Sequence, residues 1–241
     1  MTVNAAVSVV LPCRNEEQGI GICIEKIQRV FRQERINGEI IVSDCSTDSS
    51  AEIAERLGAK VVKNNGTGYG NAYMQGFRAA AGSLIVMGDS DDSYDFLEMP
   101  KLFRALEHSD FVIGSRMKGE IKPGAMRPLH RYIGNPLLNF LFNLFFRAGI
   151  SDTHSGFRAI KSDAFRRLEL SCRGMEFALE MIIEAKRKGL RISEVPITYS
   201  PRKGESKLNS FRDGWKHLRF IFGNLYPKKY KQLKCRDIYY G

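Results

Sequence analysis

Asp89-Ser90-Asp91 follows directly on the apolar run Ser83–Met87, with Asp92 and Asp95 close behind. Carboxylates crowded at one strand end repel one another unless a cation neutralises them. Mg2+ or Mn2+ suits such a place, because it binds through one or two carboxylates and completes its octahedron with substrate phosphates. The alternative is a solvated acidic turn with Asp92 or Asp95 capping the next helix, and Asp95 is read as that cap. Four other polar clusters could share the chemistry: Arg14-Asn15-Glu16, Asp44–Asp48, Asn64–Gly70 and Ser115-Arg116. The Asn64–Gly70 turn could offer backbone N–H groups to an anion at a helix start, or simply let that helix pack closely. It is neither a Walker loop nor a Rossmann fingerprint.

The elements that must carry these clusters alternate. Val7–Leu11, Glu39–Val42, Ala59–Val62, Ser83–Met87 and Asp110–Ile113 read as strands. Helices are predicted from Ile20 to Phe31, over Ser50–Leu57, Tyr69–Ala81 and Phe96–Glu107, the first from its apolar spacing of i, i+4, i+7, i+11. Such alternation predicts an α/β fold with a mostly parallel sheet covered on both faces. Ligands of such sheets bind beyond the carboxyl ends of the strands, where all five clusters fall. Beyond Pro123 the spacing predicts helices over Arg127–Arg147, Met175–Lys188 and Phe211–Tyr226, and a strand over Arg191–Ile197.

The 241 residues have globular composition, with 43% hydrophobic and 27% charged side chains, which excludes disordered, collagenous and coiled-coil classes. Five cysteines form no CxxC pair and four histidines are dispersed, so the thiols are read as reduced, in a cytosolic protein. No signal-peptide pattern opens the chain, and no apolar run reaches the roughly 18 residues of a spanning helix. Charge is divided unevenly: residues 1–120 hold 13 Lys and Arg against 17 Asp and Glu, residues 121–241 hold 24 against 10. The basic half calls for an anionic partner: a phosphorylated substrate, a lipid surface or nucleic acid. Its basic residues are not interleaved with a nucleic-acid motif, and acidic strand ends suit a polyanion poorly, so nucleic acid is the disfavoured partner.

Pro12-Cys-Arg-Asn15-Glu16, Ser43-Asp44-Cys-Ser46-Thr-Asp48, the Gly66–Gly70 turn and Gly88-Asp89-Ser90-Asp91, in that order, resemble glycosyltransferase family 2 and its GT-A fold. Gly114-Ser-Arg116, Asp152-Thr-His-Ser155-Gly-Phe-Arg158, Gly174-Met-Glu176 and Pro201-Arg202-Lys-Gly204-Glu-Ser206-Lys207 resemble its polyprenyl-phosphate branch. The resemblance spans residues 7–208. It implies that Pro12, Asn15, Glu16, Asp44, Asp89, Ser90, Asp91 and Lys207 hold a nucleotide sugar, with Asp89 and Asp91 on Mg2+ or Mn2+. It implies an acceptor phosphate faced by Arg116, Arg131, Ser155 and Arg158, and catalytic roles for Asp91, Arg116 and Arg202. Two departures stand out: Ser43-Asp44-Cys45-Ser46 keeps one of the two acids usual there, and Ser93 replaces a glutamine that stands near the metal in some members.

The implied organisation is a GT-A domain over 1–208, with a nucleotide-sugar and metal half (1–120) and an acceptor half (121–208), then a basic amphipathic tail (209–241). The implied activity is inverting transfer of a hexose or N-acetylhexosamine from a UDP- or GDP-sugar to a polyprenyl phosphate; a soluble acceptor is the alternative. A phosphate monoester, with a second pKa near ~6, attacks without a base, whereas a hydroxyl needs one. The second half is rich in arginine, suited to bidentate phosphate recognition. Glu176 or Glu180 could act as a base, or as a helix-terminal acid and a partner for neighbouring Lys and Arg. Leu137–Phe146 and the Phe211–Phe222 stripe, with Arg147, Arg212, Lys216, Arg219 and the cluster in Lys228–Arg236, could lie on an anionic membrane surface. The expected location is peripheral, on the cytosolic face. His154 is read as bonding to its neighbours, Cys45 as packing and Trp215 as a helix anchor.

Overall fold

The computed structural model describes residues 6–64, 68–205 and 210–224. Among these residues seven strands form one sheet: β1 (Val7–Cys13), β2 (Gly38–Asp44), β3 (Lys60–Lys63), β4 (Leu84–Met87), β5 (Phe111–Ile121), β6 (Arg158–Lys161) and β7 (Ile192–Tyr199). Their order is β3-β2-β1-β4-β6-β5-β7. All neighbours are parallel except β6, which runs antiparallel to both β4 and β5. This mixed sheet flanked by helices is the α/β architecture that the alternating pattern predicts.

Among the described residues eight α-helices flank it: α1 (Ile20–Gln33), α2 (Ser50–Arg56), α3 (Tyr69–Arg78), α4 (Met99–Leu106), α5 (Asn135–Phe146), α6 (Ser162–Arg166), α7 (Phe177–Arg187) and α8 (Ser210–Gly223). Side chains alternate across the pleat, so Val9, Leu11, Val42 and Val86 pack with α1 and α4. Val10, Ile41, Ile85 and Met87 pack on the other face with α3 and α7.

The structure departs from the expected elements in four places. Phe96–Glu107 divides into a 3-10 turn (Phe96–Glu98), which Asp95 caps by accepting from the Leu97 N–H at 3.3 Å, followed by α4 with Pro100 in its first turn. β5 continues eight residues past Ile113 and pairs with β7 through a register shift between Ser115 and Glu120. The helix expected over Arg127–Arg147 opens with a π-helical turn, His130–Gly134, before α5. β6 and α6 were not expected, because Arg158–Lys161 reads as the end of a loop motif.

β6 also settles how the two halves of the chain relate. It lies between β4 and β5, which end by Ile121, so the halves interleave in one sheet. Its reversed direction places its beginning, Arg158, opposite Met87 at the end of β4. The loop before β6 therefore arrives at the edge where Asp89 and Asp91 leave the sheet.

Candidate active site

The carboxyl ends of β1, β2 and β4 are bound to one another by short side-chain hydrogen bonds. Asn15 has a left-handed backbone (φ 53°), and its Oδ1 accepts from the Thr47 N–H at 2.8 Å while Ser46 Oγ accepts from its own N–H. Asp44, fully buried at the end of β2, accepts from the Ser46 N–H and lies 3.4 Å from Lys63 Nζ. Ser90 Oγ donates to the Pro12 carbonyl at 2.7 Å, so Pro12 contributes a backbone oxygen and the β4 loop is fixed to β1.

Asp89 and Asp91 enter the same pocket. Tyr69 Oη donates to Asp89 Oδ1 at 3.0 Å. Burial, reinforced by the charge of Asp91, pushes the Asp89 carboxyl up to about 7. Asp91 Oδ1 accepts from the Ser93 N–H and Oγ at 3.0 and 2.6 Å, which gives Ser93 a positioning role beside the carboxylates. Asp91 Oδ2 lies 3.3 Å from Arg202 Nη1, while Arg202 Nη2 donates to both oxygens of Glu16 at 2.8 and 2.9 Å. The Lys203 N–H donates to the Asp91 carbonyl at 2.8 Å, holding the segment after β7 over the pocket. Arg202, given a catalytic role by the resemblance, is thus drawn to the carboxylates.

These residues fit a hard divalent cation. The donors are carboxylate oxygens only, they repel one another, and an arginine already compensates them. Among the described residues no group of three or more His, Cys, Asp or Glu side chains is placed to hold a metal. Two carboxylates suffice for Mg2+ or Mn2+ when phosphate oxygens supply the rest, and would not suffice for a structural zinc.

The loop before β6 faces this pocket. A Cβ on Gly156 would stand 2.7 Å from Tyr69 Oη and 3.2 Å from the Asp89 carboxylate, so only glycine allows the approach. The Gly156 N–H donates to Tyr94 Oη at 2.7 Å. Ser155 Oγ is buried and makes no hydrogen bond. Arg116 is clamped by Asp152: Nε to Oδ2 at 2.7 Å, Nη2 to Oδ1 at 2.8 Å, and its N–H to Oδ2 at 2.9 Å. Burial alone would raise the Asp152 carboxyl, but Arg116 outweighs it and holds it below the usual carboxylate range. Arg116 also stacks on Tyr199, 5.0 Å from the ring centroid.

Arg158 requires a correction. It is fully buried, and Nε, Nη1 and Nη2 donate to the carbonyls of Ser155, Ala178 and Thr153 at 2.7, 2.7 and 2.8 Å. Three of its five N–H donors are spent on shaping the loop and fastening it to α7, and the whole guanidinium is enclosed rather than presented to an acceptor phosphate. Arg131 lies on the π turn, 3.5 Å from the Ile121 carbonyl and 5.4 Å from the Tyr132 ring centroid. Lys207 lies outside the described residues. His154 bonds to Thr153 Oγ1 at 2.9 Å and packs on His217, as the bland reading of a loop histidine has it; burial lowers its pKa well below the usual imidazole value.

Glu176 stands at the N-cap of α7, the position of a helix-terminal acid, whereas Glu180 accepts from the Ser171 and Cys172 N–H groups and has no lysine or arginine partner among the described residues. The start of α3 is covered too, since the Gly70 and Asn71 N–H groups donate to the Gly174 and Arg173 carbonyls. Trp215, read as a helix anchor, is 64% exposed on α8. A residue that sequence reasoning missed is Glu194 on β7. Its carboxylate accepts from Ser151 N–H and Oγ at 2.9 Å each and from the Asp152 N–H at 3.1 Å, with Lys118 Nζ at 2.8 Å. Glu194 therefore fixes the loop that fixes Arg116. An acid inside the predicted strand Arg191–Ile197, in Ser193-Glu194-Val195-Pro196, was the available signal.

Comparison with known proteins finds similar sequences and similar folds. The model of "Glycosyl transferase family 2" matches residues 8–169. The chain is 50% identical over 219 residues to "Low-salt glycan biosynthesis hexosyltransferase Agl6" of Haloferax volcanii, which covers 90% of this chain but only 53% of that relative. It is 31% identical to a "Dolichyl-phosphate hexose transferase" of the same organism, covering 86% of this chain and 88% of the relative. Mannosyl-3-phosphoglycerate synthase from Rubrobacter xylanophilus superposes with a TM-score of 0.74 at 20% identity, covering 99% of this chain and 79% of that one. Glucosyl-3-phosphoglycerate synthase from Mycobacterium tuberculosis, solved with Mn2+, UDP and phosphoglyceric acid, superposes with a TM-score of 0.71 at 23% identity, covering 92% and 79%. These neighbours share the fold. Among the described residues no helix is long and apolar enough to cross a membrane.

Proposed function

This chain belongs to glycosyltransferase family 2, and from that premise we propose that it moves a hexose or N-acetylhexosamine from a nucleotide sugar to the phosphate of a polyprenyl lipid, at the cytosolic face of a membrane. The observation that carries the reading is the pairing of Asp89, Asp91 and Arg202 with the Arg116–Asp152–Ser155 loop across one sheet edge. Further support comes from the Haloferax dolichyl-phosphate hexose transferase, which is alike along most of both chains.

In this reading an acceptor phosphate oxygen bonds to the anomeric carbon as the bond to the nucleoside diphosphate breaks, with inversion and with the electron pair leaving on the diphosphate. Asp89 and Asp91 would hold Mg2+ or Mn2+, which supplies charge neutralisation for that leaving group. Arg202 adds a second positive charge within reach of Asp91, and Lys207 would close on the same phosphates. Asn15, Glu16, Asp44, Pro12 and Ser90 line the nucleotide side. Arg116 and Ser155, with Arg131 at the rim, receive the acceptor phosphate. An ionised phosphate needs no general base, in keeping with Glu180 being committed to backbone amides. Residues 1–208 form the catalytic domain and 209–241 a basic tail.

The test is a panel of UDP- and GDP-sugars with Mn2+ or Mg2+ and a short-chain polyprenyl phosphate, read as glycolipid formed. Metal-dependent transfer to the lipid phosphate is expected. Transfer confined to a soluble hydroxyl acceptor, or nucleotide release with none of the sugars, would overturn the proposal.

A further inference from the structure

Four aspartates stand between residues 89 and 95, and the candidate metal site takes two of them, Asp89 and Asp91. The other two share one cation. Lys26 Nζ on α1 lies 2.7 Å from Asp92 Oδ1 and 3.4 Å from Asp95 Oδ1. Asp92 also has a left-handed backbone (φ 61°), which a residue other than glycine keeps only where its surroundings hold it. That hold comes from α1. Gly19, the N-cap of the helix, Cys23 and Lys26 recur at i, i+4 and i+7, so they form one row along it. A Cβ on Gly19 would stand 2.6 Å from the Ser90 carbonyl oxygen and 2.8 Å from the Asp91 Cα, so the helix start presses directly on the loop backbone. Cys23 Sγ donates to the Asp89 carbonyl at 3.8 Å. Lys26 completes the row and brings the charge.

The number of free carboxylates decides what such a loop can bind. An octahedral ion on two carboxylates keeps positions for the oxygens of a diphosphate. A third carboxylate takes one of those positions and adds a negative charge that the diphosphate must approach. Asp92 directly follows Asp91 in the chain, and without a counter-ion it would stand as that third acid. Its pair with Lys26 is well shielded, the side chains being 13% and 27% exposed, so salt screens it less than a surface pair. Asp95 is tied a second time, because the same Oδ1 accepts from the Leu97 N–H. Asp92 is therefore the acid whose disposal depends most on Lys26.

We propose that Lys26 is a positioning residue of the sugar-nucleotide site: by claiming Asp92, it keeps the acids on the metal at two and leaves the remaining coordination positions to the diphosphate. This rests on Asp89 and Asp91 holding Mn2+ or Mg2+, and it adds which acid is kept from the ion and by what group. Lys26 is assigned no contact with substrate or metal; its effect passes through Asp92. The expected signature is a divergence, since an extra acid favours the bare cation and disfavours the nucleotide that must bind beside it.

The full chain is titrated with Mn2+ alone, followed by electron paramagnetic resonance of the free ion, and with UDP and GDP in saturating Mn2+, followed by calorimetry. Lys26→Met removes the charge and keeps a helix-forming side chain of similar length. It should bind Mn2+ alone at least as tightly as wild type. Its affinity for the nucleoside diphosphate should fall at least ~10-fold, the lower end of what groups supporting a metal's ligands contribute. Lys26→Arg, which keeps the charge, should bind both as wild type does. Adding Asp92→Asn to Lys26→Met should return the nucleotide affinity toward wild type, because asparagine tolerates the left-handed backbone and carries no charge. A fall in both affinities together marks a merely structural role and overturns the proposal. So does a change in neither, or a double variant no better than Lys26→Met. Wild type that takes up neither nucleotide with Mn2+ overturns the metal reading and this inference with it, whereas nucleotide uptake by wild type and Lys26→Met alike removes this inference alone.

Discussion

Asp89 and Asp91 place two carboxylates in one poorly solvated pocket, and folding bears that repulsion for the sake of a ligand. Asp89→Asn keeps an oxygen for the Tyr69 hydroxyl while removing the like-charge contact. It is expected to raise the thermal midpoint in the absence of metal by about 2–4 °C, corresponding to roughly 1 kcal/mol for a chain of this size, as calorimetry would register. Asp91→Asn should cost turnover at least ~100-fold, the scale of removing one key electrostatic contact at a reacting centre, as a sugar-transfer assay would measure. Arg158 behaves differently from the arginine its motif suggests. With all three of its nitrogens on carbonyls, Arg158→Met should cost about 2–4 kcal/mol in urea unfolding, as three buried acceptors lose their donors. The acceptor KM of the protein that remains folded should move less than about twofold. This distinction was out of reach of sequence reasoning, because arginine as a type is expected at the surface, and only the packed structure reveals one enclosed by loop carbonyls.

Among the elements, the parallel strands β1 to β4 and their helices were legible because each strand is a β-branched run and each helix repeats its apolar residues at helical spacing. The polar clusters at their ends were legible for the same reason, as the places where those patterns stop. β6 was not: it has four residues, is charged at both ends, and nothing in it specifies direction. Yet its direction brings Gly156 beside Asp89. Gly156→Ala should therefore weaken manganese and sugar-nucleotide binding about 10-fold or more, the range seen when groups supporting a metal's ligands are disturbed, as titration calorimetry would record. The apolar stripe of α5 was legible as such, but the sequence could not say which side of the stripe met the core.

For the molecule as a whole, the far edge of the sheet carries its own charge lock. Asp110, just before β5, accepts from Arg191, just before β7, and those hydrogen bonds hold its carboxyl down at about 2. A depressed carboxyl contributes stability that is complete above its unfolded value near 3.8 and fades as pH falls toward 2. The difference in urea midpoint between wild type and Asp110→Asn should accordingly be full at pH 7 and shrink between pH 4 and 2. The interleaving of β6 between β4 and β5 has a consequence for any attempt to divide the chain. A cut at the exposed Pro123-Gly124 turn would separate a fragment lacking the strand that joins β4 to β5 from one holding that strand without its neighbours. Each piece alone would expose unsatisfied strand edges and tend to aggregate. Co-expressed, they would have a template in each other, making this turn a natural seam for a split enzyme whose activity reports on their reunion.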